Sequence, residues 1–336
     1  MTFFPNKRFK QFGIVGIAIV AIVTAALFYQ SYETNMKTEP IKIGLSEWAA
    51  YDHVFIADKK GYFKKNGVDV KLVYDSEYLV AQKRFVNGEV DGIFESMADV
   101  IYQNAGGLRP TTLVYLTDYS TTGDALISKF DSVADLQNKT ISVDGFGTFS
   151  HLLVLKILEK HGMSEKDVRF EIIPAQQVLK ALEEDRIQAA HTWGATLLEA
   201  TKKGYKILDT AGSFPYLIVD GLAFDPEVIE ERTDDIQKII ISLFEAHKFL
   251  ETNPDESIRI MAEGENTSID SIKQGLKGVY VIDLEENKQA LRYDGGPLIY
   301  SIRELSDFFL KIGQISYTPT LQDLIDPRFV NNVSEG

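Results

Sequence analysis

The feature that most constrains the fold of this chain is a repeated alternation of strand-like and helix-like segments after Pro40. In a first block, short apolar runs such as IKIGL alternate with longer helix-like segments such as SEYLVAQKRFVNG. A second block repeats this order from TISVD to YKIL. Alternation of this kind predicts parallel sheet covered by helices. Two blocks of similar plan predict an α/β fold with two lobes, each built on its own sheet.

The predicted strands are 41–45, 68–74, 91–95 and 111–116 in the first block, and 140–144, 168–173, 188–193 and 205–208 in the second. The predicted helices between them are 53–63, 76–88 and 97–107, then 148–162, 175–186 and 194–204.

The stretch LTDYSTTGDALI, residues 116–127, separates the two blocks. Its Ser, Thr, Gly and Asp residues suit a hairpin turn, which is one interpretation. The chain after Phe224 is largely helical and is expected to return to the first lobe. The chain would then cross between lobes twice, near Asp118–Asp124 and near Ser213–Gly221. Two crossings predict a two-segment hinge with a ligand cleft between the lobes.

The N-terminus predicts a membrane anchor or signal segment in residues 1–35. Lys7, Arg8 and Lys10 precede an uncharged, largely apolar run, residues 11–29, that is about long enough to span a bilayer as one hydrophobic helix. Basic residues before such a run place the rest of the chain outside the cytoplasm. Small residues suited to signal cleavage occur only inside the run, which favours an uncleaved anchor. The predicted domains that follow are lobe 1, residues 40–118 plus 220–330, and lobe 2, residues 124–213.

Composition and motifs exclude several function classes. The net charge of −14 argues against nucleic acid as a partner. The absence of cysteine rules out disulfides, thiolate catalysis and cysteine-ligated zinc. The chain lacks a G-x-S-x-G elbow, a Walker A motif and an H-E-x-x-H motif, and its five histidines lack metal-ligand spacing. We therefore expect no catalytic residues, no cofactor and no metal, and a monomer that is not an enzyme.

Aromatic residues mark the predicted ligand cleft. Trp48 and Trp193, the only tryptophans, both fall at predicted strand ends, one in each lobe. Ligands of open α/β sheets approach the carboxyl ends of strands, where two tryptophans could hold a ligand by stacking or cation–π contact. Tyr51 and Phe149 could extend this aromatic box. The alternative is that both tryptophans belong to the core.

Charge at the strand ends favours a cationic or zwitterionic ligand. The segments 46–53, 95–99, 117–124, 144–151, 191–195 and 213–221 contain no Lys or Arg. They contain several carboxylates, of which we select Glu95, Asp118 and Asp220. An anion pocket would normally carry Arg or Lys, and Arg292 in the late helices is the candidate under that alternative.

Hydroxyl groups at the same strand ends could contact a ligand oxygen or amine. Ser120 lies in the first crossing, and Thr148 follows the DGFG segment at the start of a predicted helix. Thr148 could hold a ligand, or it could only cap the helix.

Several of these segments resemble a known family. WAAYDHVFIADKKGYFKKNGVDVKLV, NGEVDGIFES and DSVADLQNKTISV are similar to the taurine/sulfonate/nitrate-type periplasmic solute-binding proteins of ABC importers. That family implies a periplasmic-binding-protein (type II) fold and delivery of a small molecule to an ABC permease and its ATPase. TDYSTTGDALISK, SHLLVLKILEKHGMSEKDV and HTWGATLLEA resemble the urea-carboxylase-associated subgroup, which implies a guanidinium-like ligand. Thr122 and Gly194-Ala195 depart from that subgroup, which has Asn and Asn-Pro there.

The sequence therefore predicts an extracytoplasmic solute-binding protein with a guanidinium-like or amine-like ligand. The alternatives are binding of a taurine, sulfonate or nitrate-type anion, or a ligand-sensing role beside a membrane signalling partner.

Overall fold

The computed structural model describes residues 39–334. The predicted N-terminal hydrophobic helix, in residues 1–35, lies outside the described residues. Among residues 39–334, no helix has the length and apolar character needed to cross a bilayer.

The strands, in chain order, are β1 (Ile41–Ser46), β2 (Val70–Asp75), β3 (Gly92–Ser96), β4 (Thr112–Ser120), β5 (Ala125–Ser128), β6 (Thr140–Val143), β7 (Arg169–Ile172), β8 (Ala189–Thr192), β9 (Lys206–Thr210), β10 (Val219–Phe224) and β11 (Val279–Val281). The helices are α1 (His53–Lys59), α2 (Tyr62–Lys65), α3 (Tyr78–Val86), α4 (Met97–Ala105), α5 (Phe149–Lys160), α6 (Val178–Glu183), α7 (Gly194–Lys202), α8 (Pro226–Glu231), α9 (Thr233–Thr252), α10 (Pro254–Glu265), α11 (Ile269–Lys277), α12 (Leu284–Ala290), α13 (Pro297–Lys311), α14 (Leu321–Leu324) and α15 (Arg328–Asn331).

The described strands form two separate sheets, as the repeated alternation predicts. The first sheet has the order β11-β4-β10-β3-β1-β2, and the second has the order β7-β6-β8-β5-β9. Each contains a parallel trio, β2-β1-β3 in the first sheet and β7-β6-β8 in the second. The strand beside each trio is antiparallel to it and comes directly from the other sheet. Both sheets are therefore mixed. In each sheet, the strand that arrives from the other sheet runs antiparallel to the three parallel strands.

The two crossings are short. β4 continues to Ser120, so residues 117–120 are strand rather than loop, and only 121–124 connect it to β5. The return runs from Thr210 to Val219 through a short 3-10 helix. The carbonyl of Gly278 accepts hydrogen bonds from the backbone N–H groups of residues 121–123 at 2.8–2.9 Å. The first crossing is therefore held against the end of α11.

The C-terminal helices depart from the prediction in two ways. α9 and α10 pack on α1, and α13 packs on α4, as expected for helices that return to the first sheet. However, α11 packs on α7 and α13 also contacts α5, so these two helices also reach the helices of the second sheet. The segment predicted to be largely helical also contains β11, which pairs with Asp118–Ser120 at the edge of the first sheet.

The predicted helix 53–63 is interrupted. Gly61 adopts a left-handed conformation with φ of 72° between α1 and α2, where a residue with a Cβ is disfavoured. One helix-like segment therefore folds as two short helices.

Candidate ligand-binding site

A small cavity lies between the two sheets, where strand ends and helix N-termini meet. The volume open to the centre of a water-sized sphere is about 20 Å³. That is room for about one water molecule, so the walls would have to move apart to admit a small ligand. The residues around it come from both sheets and from the crossings: Ser46, Glu47, Trp48, Tyr51, Tyr78, Asp124, Phe149, Trp193, Ile218 and Asp220.

Aromatic rings form one side of this cavity. Phe149, the first residue of α5, and Trp193, directly before α7, have ring centroids 5.7 Å apart. Tyr78, the first residue of α3, stands nearly perpendicular to both rings at 5.6 and 6.4 Å. Trp48 and Tyr51, from the loop after β1, lie 6.5 Å from each other. Such rings present faces and edges that can hold a cation or a planar group.

Carboxylates lie behind the rings on the first-sheet side. The Tyr51 hydroxyl donates to Asp220 Oδ1 at 2.9 Å. The indole N–H of Trp48 donates to both oxygens of Asp118, at 3.2 and 3.1 Å. These bonds fix the ring planes of Trp48 and Tyr51 relative to two buried acids.

Asp124, at the end of the first crossing, adds a third buried acid. Its Oδ1 lies 3.1 Å from His191 Nε2, which donates to it in the Nε2-protonated tautomer. Its Oδ2 is buried and has no hydrogen-bond partner in the described residues. An acceptor oxygen of this kind at a cavity wall is available to a donor from a ligand.

Burial makes Asp118 and Asp220 hard to ionise without a partner. It raises the pKa of Asp118 to about 7, although bonds from Thr117 and Trp48 oppose the shift. It raises the pKa of Asp220 well above its ordinary value, and the charges of Asp118 and Asp124 add to that rise. Within the described residues, no Lys or Arg lines the cavity to neutralise them. A cationic ligand would supply the missing charge.

The structure brings five of the nine predicted site residues together around the cavity: Trp48, Tyr51, Phe149, Trp193 and Asp220. Asp118 does not line the cavity, but it accepts a hydrogen bond from Trp48, which does. Glu95, Ser120 and Thr148 lie outside it.

Glu95 is fully buried and accepts hydrogen bonds from Gln82 and Gln103 at 3.1 and 2.7 Å. Burial raises its pKa to about 8. The amides of α3 and α4 hold this carboxyl group away from the cavity, although it follows the same strand-end pattern as the other acids.

Ser120 and Thr148 make local hydrogen bonds. The Ser120 hydroxyl accepts from the backbone N–H of Asp124 at 3.1 Å, which shapes the first crossing. The Thr148 hydroxyl caps α5 by accepting from the His151 N–H, and it donates to the Gly145 carbonyl at 2.8 Å. A ligand contact by Glu95, Ser120 or Thr148 stays a prediction.

Five residues that line the cavity were not selected from the sequence: Ser46, Glu47, Tyr78, Asp124 and Ile218. Glu47 and Asp124 belong to the acidic strand-end segments and could have been chosen by that signal. Tyr78 follows the carboxyl end of β2 by three residues, so the strand-end signal could also have found it.

Arg292, the candidate for pairing an anion, does not line the cavity. Its guanidinium is exposed and donates to Asp294 at 2.7 and 2.8 Å. Within residues 39–334, no group of three His, Asp or Glu side chains is placed to hold a metal ion.

Comparisons with known proteins agree with this architecture. The family described as NMT1/THI5 like matches residues 49–257. A putative binding protein of Brucella abortus is 24% identical over 237 residues, which cover 67% of this chain and 71% of that protein. A 4-amino-5-hydroxymethyl-2-methylpyrimidine phosphate synthase of Saccharomyces cerevisiae is 25% identical over 137 residues, 40% of each chain.

Among solved structures, the alkanesulfonate-binding protein SsuA from Xanthomonas axonopodis, bound to MOPS, superposes with a TM-score of 0.70 at 15% identity. The match covers 85% of this chain and 98% of that one. This likeness shows a mixed α/β periplasmic-binding-protein fold with two sheets, which confirms that part of the fold prediction.

Proposed function

Because the chain belongs to the NMT1/THI5-like family and has the fold of periplasmic binding proteins, we propose that it captures a small organic cation for import. The ligand class is a guanidinium-like or amine-like compound. Trp48, Tyr51, Phe149 and Trp193 would hold its apolar faces, and Asp220 would pair its charge. Asp118 would act through the indole of Trp48.

One observation carries this proposal. The cavity between the sheets is lined by Asp124, Asp220 and Glu47 together with aromatic rings, and no Lys or Arg of the part of the chain that the structure describes lines it. An anion in this space would meet buried carboxylates without a cationic partner, which costs free energy. A cation would pair with them and would be attracted by the ring faces as well.

The fold class supports a biological role in solute uptake. We propose an extracytoplasmic location, in the periplasm or at the outer face of the cytoplasmic membrane, with residues 1–35 as the anchor or signal. The partners would be an ABC permease and its ATPase. The protein would work as a monomer without cofactor or catalysis. Ligand would favour the closed form through its higher affinity for that form, with residues 121–124 and 211–218 as the hinge.

Isothermal titration calorimetry on the purified protein tests the ligand class. Guanidinium, methylguanidine and small primary amines are compared with taurine, an alkanesulfonate and nitrate at pH 8. Saturable binding of a cation is the expected result, and mass spectrometry of the recovered compound should find it unchanged.

The second candidate is an anionic ligand, because SsuA, to which the structure is similar, is an alkanesulfonate-binding protein. Binding of only taurine or a sulfonate would contradict the cation proposal and leave the solute-binding role in place. Under that outcome Arg292 would have to leave Asp294 and reach the cleft.

A further inference from the structure

A second cavity lies on the other side of Trp48 and is also placed between elements of the two sheets. It encloses about 970 Å³ of space, its open mouth included. One side is formed by the loop after β1 and by α10 and α11, and the other by α7 and β9. Leu197, Ile207 and Ile272 give it apolar walls, while Glu47 and Glu265 supply carboxylates.

The acids of this cavity form a cluster with a third, deeper carboxyl group. Glu265 Oε1 accepts from the backbone N–H of Trp48 at 3.0 Å, and Glu47 Oε1 accepts from the backbone N–H of Ala195 at 2.7 Å. Asp52 is completely buried and its carboxyl group faces that of Glu265. No described N–H or hydroxyl group donates to Asp52, so the hydrogen bond between the Asp52 and Glu265 carboxyl groups needs a proton on one of them. Burial and the charge of Glu265 raise the pKa of Asp52 well above its ordinary value, so Asp52 holds that proton and leaves Glu47 and Glu265 to meet a cation.

The two cavities share Glu47 and Trp48 as a common wall. The backbone N–H of Trp48 bonds to Glu265 of the second cavity, whereas its indole N–H bonds to Asp118 beside the first. The two acidic groups therefore lie in neighbouring cavities on either side of Trp48. Among residues 39–334, no Lys or Arg lines either cavity.

We propose that the ligand carries two cationic groups joined by a short alkyl chain, as in a diamine or an aminoalkylguanidine. This inference rests on the proposed function and names its substrate class. One cationic group occupies the aromatic cavity near Asp124 and Asp220. The alkyl chain follows the apolar wall of the second cavity, and the other ammonium group pairs with Glu47 and Glu265.

The test compares two compounds that differ only in the second charge. Calorimetry on the unmodified protein measures the affinities of butylguanidine and of 4-aminobutylguanidine at pH 8. Because a charge-assisted contact in a desolvated site strengthens binding at least about tenfold, the amino compound should bind at least tenfold more tightly. Equal affinities of the two compounds would overturn the inference and leave the proposed function standing. Failure of both compounds, and of guanidinium, to bind would overturn both.

A pair of variants locates the second charge. Glu265→Gln retains an oxygen that can accept from Trp48 but removes the charge, so the advantage of the amino compound should fall at least about fivefold. Glu263→Gln is the matched control, because this acid lies on the same helix but is exposed and paired with Lys59. If folded Glu265→Gln protein still bound 4-aminobutylguanidine more tightly than butylguanidine by the same factor, the second ammonium group would lie elsewhere. That result would overturn this assignment.

Discussion

The two sheets share one plan but contribute different chemistry to the cleft. Each has a parallel trio followed by an antiparallel strand that arrives from the other sheet. The first-sheet side supplies acids, Asp118 and Asp220, together with the rings that bond to them. The second-sheet side supplies the rings of Phe149 and Trp193, neither of which bonds to those acids.

This difference suggests that the first-sheet side selects the charge of the ligand. The second-sheet side would then cover the apolar part of the ligand when the cleft closes. Ion pairing of a desolvated group is worth more free energy than one ring contact. Substitutions on the first-sheet side should therefore weaken ligand binding more than substitutions on the second-sheet side.

The largest effect is expected from Asp220→Asn. This change removes a buried charge at the cavity and keeps an oxygen that can accept from Tyr51. Loss of a charge-assisted bond should weaken guanidinium binding by about 1.5–3 kcal/mol, measured by calorimetry. Asp185→Asn, at an exposed acid of the second-sheet side, is the control and should bind as before. A wild-type affinity in Asp220→Asn would remove this acid from the site.

The next effect is a dependence of affinity on pH. Burial raises the pKa of Asp118 to about 7 in the ligand-free protein. A cation favours the ionised carboxyl group, so below pH 7 it must displace a proton, and affinity should fall as pH falls from 8 to 6. The loss approaches about tenfold per pH unit for each proton displaced.

Calorimetry in buffers of different ionisation enthalpy should record proton release on binding at pH 6–7. An affinity that rises as pH falls has the opposite sign, and it would indicate an anion bound beside protonated carboxyl groups.

A smaller effect is expected at Trp193 on the second-sheet side. Trp193→Leu keeps an apolar side chain but removes the π face, which should weaken cation binding by about 0.5–2 kcal/mol. Trp193→Phe should retain part of that free energy. If the leucine and phenylalanine variants bound equally, Trp193 would act as packing only, and the contrast between the two sides would be larger than proposed.

The fold was largely predictable because its signals are local. Apolar runs of strand length, alternating with longer helix-like segments, indicated both parallel trios, and the acidic and hydroxyl-rich segment between the blocks indicated the first crossing. β11 was missed because three residues at a sheet edge carry too little pattern, and their pairing with β4 is purely tertiary. Gly61 breaks a predicted helix that the residue pattern alone would continue.

The lining of the candidate cavity was predictable only in part. Trp48 and Trp193 follow the carboxyl ends of β1 and β8, whereas Asp220 lies at the start of β10 and reaches the same edge because β10 runs antiparallel to β3. Glu95 obeys the strand-end rule and still lies apart, because Gln82 and Gln103 hold it. Tyr78 follows the carboxyl end of β2 by three residues and so fits the same rule, but the segment after that strand was not among the strand ends selected from the sequence. For Glu95, side-chain bonds between helices, rather than secondary structure, decide the position.

The smallest effect is expected from an ion pair that joins the two sides of the cleft. It tests whether closure of the first-sheet side on the second-sheet side contributes to ligand binding. Lys156 on α5 and Glu304 on α13 form an ion pair at 2.6 Å that joins the helices of the two sheets far from the cavity, with both side chains 29% exposed. Glu304→Gln should weaken the closed form by about 0.2–1 kcal/mol, as for other partly exposed pairs, and should lower ligand affinity by no more than that. The loss should disappear at high salt, because screening weakens the pair in the parent protein as well. A loss that persists in salt would mean that Glu304 acts through packing, and equal affinity at low salt would mean that the pair does not contribute to closure.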